Sequence, residues 1–232
     1  MDEKERDTFN NVNWWDLNGP VAGLHKMNKV RVNFVRENFA LPSSKPHLPL
    51  NGLTIMDVGC GAGILAEPLA RLGAKVVGID PLTQAIQSGE EHLKIMRQQN
   101  NETLDLLYIN ADINSAKEKF IESMDLVILS EVVEHVENWK GLLSEAAECV
   151  KPGGSLVVTT INRTYTAWLT AIIAAERILG IVPRGTHEYE KFVKPEEIRN
   201  AITKCMHSTL LKFYAFQVTW KLGKFWASHT IL

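Results

Sequence analysis

Two stretches of the chain carry residue types that can do chemistry. The first is Asp57-Val58-Gly59-Cys60-Gly61-Ala62-Gly63, an acid followed by three glycines at alternate positions. Glycines spaced in this way let a backbone turn sharply and approach a ligand closely. Asp57 stands two residues before the first glycine, at the mouth of the loop. A carboxylate there suits a ligand with a positive ammonium or sulfonium and is a poor neighbour for a pyrophosphate. The second stretch is Ser130-Glu131-Val132-Val133-Glu134-His135-Val136. On a helical turn Glu131, Glu134 and His135 fall at i, i+3 and i+4 and share one face. Two carboxylates and an imidazole in that arrangement can hold a metal ion or work as acid and base. The bland alternative is a surface helix with a solvated polar face.

These residues need a scaffold, and the sequence supplies one. Ile55, Met56 and Val58 are an apolar run of strand type, residues 66–72 continue as a helix closed by Gly73, and residues 75–79 form a second strand ending on Asp80. Strand, glycine loop, helix, strand and terminal acid make a nucleotide-binding βαβ unit. Its acid lies about 20 residues past the glycines, where it can bind two ribose hydroxyls. Gly61, Gly63 and Ala66 also fit the dinucleotide pattern GxGxxA, so an NAD-linked oxidoreductase is a rival. Asp57 and the earlier register of the glycines oppose it. Further on, a helix over 82–99, a strand over 104–109, a strand over 124–129, a helix over 142–150, a turn at 151–155 and a strand over 156–161 alternate. That order predicts an α/β protein with a doubly wound, mostly parallel, Rossmann-like sheet. Asp112 follows the third strand at its carboxyl end, where ligands of such sheets bind. It can accept a hydrogen bond from an adenine amino group or cap the next helix, and both readings stand.

Ahead of the core, Leu24, Met27, Val30, Phe34 and Val35 predict an amphipathic helix over 24–39, with Arg31 and Arg36 on or beside its polar face. Three prolines in 41–49 then mark a linker. The expected organisation is a helical cap and linker over 1–49 and one domain over 50–232. Residues 164–182 are apolar on nearly every face and flanked or punctuated by Arg163, Arg177 and Arg184. They suit a helix lying in a membrane interface, a lid over an apolar substrate, or plain core. His187, in the polar loop after it, reads as a structural or exposed histidine before a substrate contact. Residues 210–220 read as a sixth strand.

Composition narrows the class. Apolar residues make up 45% of 232 and charged residues 22%, as in globular proteins. A net charge of −2 leaves no basic footprint for nucleic acid. Cys60, Cys149 and Cys205 lie too far apart for a disulfide framework or a zinc pattern, which points to a reducing compartment, with Cys60 as a small filler of the glycine loop. The acidic N-terminus resembles neither a signal peptide nor a transit peptide. No apolar run reaches the length of a membrane span.

The motifs taken together resemble one family. Asp57 to Asp80, Ser130 to Val136, Lys151-Pro152-Gly153-Gly154-Ser155, and Gly185-Thr186-His187 with Glu190-Lys191-Phe192 are similar to the ubiquinone-biosynthesis O-methyltransferases. Trp14-Trp15-Asp16, Leu24-His25 and Met27-Asn28 ahead of Arg31 match as well. The resemblance implies the class I methyltransferase fold, S-adenosylmethionine (SAM) as methyl donor, and a polyprenylated catechol or quinol as acceptor. It implies that Arg31 holds the SAM carboxylate, that Gly59 and Gly61 allow close backbone approach, and that Asp80 binds the ribose, with Asp57, Asp112 and Ser130 also lining the cofactor. It makes Glu131, Glu134 and His135 an Mg²⁺ site, with Glu131 and His135 catalytic. It makes 164–190 a lid or membrane-contact insertion. The family's setting is the matrix side of the mitochondrial inner membrane, as a peripheral protein and partner of a coenzyme Q biosynthetic complex, or the bacterial cytoplasm at the inner membrane. The family's sheet has seven strands, the last antiparallel, and the sequence leads us to expect a last strand cut short. That expectation keeps a second rival in view, a non-catalytic scaffold or lipid-binding subunit of the same fold.

Overall fold

The computed structural model describes residues 3–42, 45–100, 103–160, 193, 197–198, 200–201, 212–221 and 224–231. The expected apolar helix at 164–182 with its arginines, the loop with His187, and Glu190-Lys191-Phe192 lie outside the described residues.

Two helices come first, α1 (Glu3–Asn10) and α2 (Ala22–Phe39). The sheet then begins at an inner strand. In β1 (Thr54–Val58) alternate side chains go to opposite faces. Ile55 joins Phe34, Val35, Leu69 and Ile86 on one side, and Met56 joins Leu143, Ala146 and Ile198 on the other. Cover on both faces is what an apolar parallel strand needs, and each fully buried side chain of this size contributes about 1.5–3 kcal/mol. The chain continues through α3 (Ala66–Arg71), β2 (Lys75–Asp80), α4 (Thr83–Asn100), β3 (Leu106–Asn110) and α5 (Ile113–Ala116). It then forms β4 (Met124–Ser130), α6 (Trp139–Glu148) and β5 (Val150–Thr160). Gly73 ends α3 with a φ of +97°, the left-handed position expected of a glycine that closes a helix.

Among the described residues the sheet has seven strands in the order β3-β2-β1-β4-β5-β6-β7, where β6 is Lys212–Lys221 and β7 is Lys224–Ile231. All neighbours are parallel except β6 and β7. From β1 the chain winds out through β2 and β3. It then returns to the other side of β1 and winds out through β4, β5 and β6. The reversal between β1 and β4 opens a crevice at the carboxyl ends of those strands, the place where open α/β sheets bind ligands.

Two expectations are corrected. The last strand is not cut short: β7 pairs with β6 along its whole length, from Lys221↔Lys224 to Tyr214↔Ile231. Only two residues of sequence separate the two strands, which leaves Lys224–Ile231 available to pair. The stretch 151–155, expected as a turn before the fifth strand, lies within β5. The register with β4 jumps from Met124↔Val150 to Leu126↔Ser155, and Gly153 at φ +79° accommodates the bulge.

Candidate functional site

The crevice holds a cavity of about 540 Å³ whose lining includes Asp57, Gly59, Asp80, Ser130, Glu131 and His135. That size suits a cofactor or drug-sized molecule. One half is built from backbone. The three loop glycines have φ of +72°, +55° and +86°. A Cβ on Gly59 would stand 2.6 Å from Val132 Cγ2, and one on Gly61 would stand 2.6 Å from Trp14 Cζ3. The loop is thus gripped between the turn after β4 and the aromatic segment ahead of α2, and only glycine fits. Asp80, at the end of β2, accepts the Gly61 N–H through Oδ2 and the Leu82 N–H through Oδ1, both at 2.8 Å. Burial raises its pKa, and those two N–H groups oppose the rise. Cys60 is buried beneath the loop, as a filler should be, and burial pushes its thiol pKa far up.

Asp57 is in a different state. It is 2% exposed, and its Oδ2 has no hydrogen-bond partner among the described residues. Burial pushes its pKa up to about 7; the Arg31 charge opposes the rise and Asp80 adds to it. Arg31, expected on or beside the polar face of α2, is 6% exposed. Its Nη1 donates to Ser130 Oγ at 3.1 Å, and its Nη2 donates to Leu24 O at 3.0 Å and to Asn28 Oδ1 at 3.1 Å. Its Nε is buried without a partner among the described residues. Burial lowers the arginine's pKa, while Glu131 and Asp57 oppose that. Buried polar atoms are normally satisfied, so an orphaned carboxylate oxygen and an orphaned guanidinium nitrogen beside a cavity point to a ligand that carries both charge signs. The zwitterionic methionine end of SAM fits that pair, and its ribose fits Asp80.

Asp112 caps α5: its Oδ1 accepts from Ser115 N at 2.8 Å and from Ser115 Oγ at 2.6 Å. These bonds hold its pKa below the usual carboxylate range. The capping reading therefore describes one of its oxygens, while the residue also lines the cavity.

The other half of the cavity is built from side chains, and here the expected helical face does not form. Glu131 has a φ of +58°, and the 3₁₀ turn that follows covers only Val133–His135. The reason lies in the sheet. Glu131 N–H is still bonded to Thr159 O at 3.0 Å, so the chain leaves β4 one residue later than a helix starting at Ser130 requires. Glu131 Oε1 accepts from Thr159 Oγ1 at 2.9 Å, and Thr159 Oγ1 lies 2.9 Å from Ser130 Oγ. Glu134 is buried, and His135 meets the Phe9 ring edge to face at 5.8 Å. Among the described residues no three His, Cys, Asp or Glu side chains stand close enough to hold a metal ion. Glu131, Glu134 and His135 are thus not drawn together as a metal cluster among the described residues, and Thr159 of β5 engages Glu131 Oε1.

The segment ahead of β1 makes contacts on both halves, with Phe9 against His135 on one and Trp14 and Asn28 against the glycine loop on the other. His25 Nε2–H donates to Trp14 O at 2.8 Å, which fixes the imidazole tautomer, and Asn28 Nδ2 donates to Ile64 O at 2.6 Å at the end of the glycine loop. Trp15 stacks on His92 of α4 with centroids 3.5 Å apart and planes 10° apart. His92 is held in turn by the buried Glu67, whose Oε2 lies 2.7 Å from Nδ1, while Arg71 pairs with the other oxygen at 2.5 Å. Thr159, Phe9 and His92 were not singled out in the sequence. Nothing in their local spacing marks them, because each acts on a residue far away in the chain. Trp14, Trp15, His25 and Asn28 stood only as matched letters, and the structure gives each a contact.

Residues 25–204 match the family described as a methyltransferase domain. The chain is 42% identical over 208 residues to the mitochondrial ubiquinone biosynthesis O-methyltransferase of Rattus norvegicus, covering 87% of this chain and 59% of that one. It is 38% identical over 233 residues to the ubiquinone biosynthesis O-methyltransferase of Agrobacterium fabrum, covering 96% and 90%. The corresponding protein of Rhizobium rhizogenes is 40% identical over 235 residues, covering 97% and 91%. The chain spans between 51% and 59% of the length of the mammalian relatives. In fold it is similar to a magnesium protoporphyrin IX methyltransferase from Synechocystis PCC 6803 with bound SAH, with a TM-score of 0.63 at 18% identity, covering 99% and 92%. It is also similar to a SAM-dependent methyltransferase from Aquifex aeolicus, with a TM-score of 0.58 at 14% identity, covering 100% and 98%.

Proposed function

The chain belongs to the ubiquinone biosynthesis O-methyltransferase family, and on that premise we propose that it methylates a phenolic hydroxyl of a polyprenylated catechol or demethylubiquinol at the expense of SAM. The observation that carries the reading is the orphaned pair beside the glycine loop, Asp57 Oδ2 and Arg31 Nε, both buried at the β1/β4 switch point. When bound, SAM supplies a methyl group already activated on a sulfonium. Arg31 holds its carboxylate, Asp57 faces its positive end, Asp80 takes the ribose hydroxyls, and Gly59 and Gly61 let the backbone close on it. Asp112 and Ser130 complete that wall.

What remains for the protein is to align the acceptor oxygen with the methyl and to remove the phenol proton. Glu131 and His135 line the cavity on that side, and either accepts the proton within this reading. Mg²⁺ held by Glu131, Glu134 and His135 is its finer part. Those groups do not converge here, so no step is assigned to an ion. The apolar tail of the acceptor accounts for a peripheral place on a membrane, at the matrix side of the mitochondrial inner membrane or at a bacterial inner membrane, and for a coenzyme Q biosynthetic complex as partner. Among the described residues no helix is long and apolar enough to cross a membrane. The scaffold rival rested on a missing last strand, and β7 removes that support.

Calorimetric titration with S-adenosylhomocysteine (SAH), with and without Mg²⁺, tests the reading. Micromolar binding is expected. A folded chain that binds no SAH overturns the cofactor assignment, and SAH binding that is indifferent to Mg²⁺ is the result the described geometry favours.

A further inference from the structure

We propose that Thr159 is the positioning residue for Glu131, and that it joins Glu131 through Ser130 to Arg31 in one directed chain of hydrogen bonds. The inference rests on the methyltransferase reading and deepens it on the acceptor side. Thr159 is 3% exposed and sits beside Ser130 in the register of β4 and β5. It fastens Glu131 twice. Its carbonyl accepts the Glu131 N–H at 3.0 Å, and its hydroxyl lies 2.9 Å from Glu131 Oε1.

The need for two fastenings is visible in the backbone. Glu131 has a φ of +58°, a conformation that costs a non-glycine residue about 1–3 kcal/mol and persists only where the surroundings impose it. Such residues gather at functional sites. The bond donated to the Thr159 carbonyl holds the main chain in that conformation. The hydroxyl then selects where the carboxylate points.

The direction of the chain follows from donor chemistry. A guanidinium only donates, so Ser130 Oγ accepts from Arg31 Nη1 at 3.1 Å. The Ser130 hydroxyl then gives its one proton to Thr159 Oγ1 at 2.9 Å. Thr159 gives its own to Glu131 Oε1, which as a carboxylate only accepts. Every hydroxyl proton in the chain is thereby committed. Oε1 is occupied by Thr159, so the carboxylate is left its second oxygen to present. Arg31 is held independently by Leu24 O and Asn28 Oδ1, so the cofactor end of the chain keeps its place without Thr159, whereas Glu131 at the other end depends on it.

The test compares Thr159→Val, which keeps the shape and deletes the hydroxyl, with Thr159→Ser, which keeps the hydroxyl. Steady-state methyl transfer to a short-tailed prenyl catechol, SAH calorimetry and thermal melting are read on each. The expected result for Thr159→Val is a kcat lower by about ten- to hundredfold, the cost of a misplaced catalytic group, with the SAH Kd and the KM for SAM within about twofold of wild type. Thr159→Ser is expected to restore kcat to within about threefold. The pair Thr159→Ala and Thr159→Ser differs only by the hydroxyl and reads the same effect if the valine variant folds poorly. Wild-type turnover in Thr159→Val, or equal losses in the serine and valine variants, overturns the inference and leaves the methyltransferase reading standing. A parallel loss of SAH affinity also overturns it, since it makes Thr159 a packing residue of the cofactor half. A wild-type chain that binds SAH and transfers no methyl overturns the reading first and the inference with it.

Discussion

The two halves of the cavity are built by different means. On the β1–β2 side the cavity wall is shaped by main chain: three glycines at positive φ, and an aspartate side chain fixed by two backbone N–H groups. On the β4–β5 side it is a chain of side chains, Arg31, Ser130, Thr159 and Glu131, drawn from α2 and from two strands. Main-chain construction leaves its mark in local spacing, since a glycine loop and its terminal acid stand at fixed distances in sequence. Side-chain construction depends on register and packing between segments far apart, and it leaves no such mark. The first half should therefore fail all at once when its backbone is disturbed, and the second should fail one function at a time.

The largest effect belongs to Gly61→Ala. The new Cβ meets the Trp14 ring at 2.6 Å on a backbone at φ +55°. Strain and overpacking of that kind cost about 1–3 kcal/mol each, so urea melting should show a loss of about 2–6 kcal/mol. SAH affinity should drop by about a hundredfold or more. Glu131→Gln is next. Turnover should fall by about a hundredfold or more, the usual scale for a lost acid or base, while SAH binds as before. Should SAH affinity fall with it, the two halves are not separable in the way described.

Asp57→Asn sharpens the comparison because it removes a charge from the main-chain half without moving its backbone. Burial raises the carboxyl pKa from the ordinary 3.8 to about 7. The folded chain then holds the proton more tightly than the unfolded chain. The stability linked to it is fully present below about pH 4 and is lost as pH rises through about 7. In the wild type, SAH affinity should rise over that same window as the carboxylate forms, and melting temperature should fall. The asparagine variant should flatten both profiles and bind SAH about tenfold more weakly at pH 8, the loss of one charge-assisted contact. His92→Ala gives the smallest effect. It removes the stack on Trp15, worth about 0.5–1.5 kcal/mol, one residue along the chain from Trp14, which lines the cavity. SAH affinity should weaken by about three- to tenfold with kcat at saturation unchanged.

What the sequence disclosed follows the same division. Asp57, the glycines, Asp80, the helix ahead of the core and the alternation of strands and helices were all legible, because each rests on local periodicity or turn chemistry. Asp112 was legible as one of two alternatives, and the cap is the contact its Oδ1 makes. Arg31 was placed on or beside a polar face because helical spacing cannot show that α2 lays that face over the cavity. Glu131, Glu134 and His135 were placed on one helical face because spacing alone assumes regular φ. A hydrogen bond from Glu131 N–H to the next strand, invisible in a linear pattern, sets φ to +58° instead. Thr159 had no signal at all. Its importance comes from lying beside Ser130 in the sheet register.

The most direct test of the account is the reaction itself. The purified chain is incubated with SAM carrying a deuterated methyl group and a short-tailed prenyl catechol, and the products are read by mass spectrometry. The account predicts a catechol monomethylated on oxygen that carries the deuterium label, together with one SAH per product. A chain that binds SAH, leaves the catechol unchanged and forms no SAH above background would contradict it.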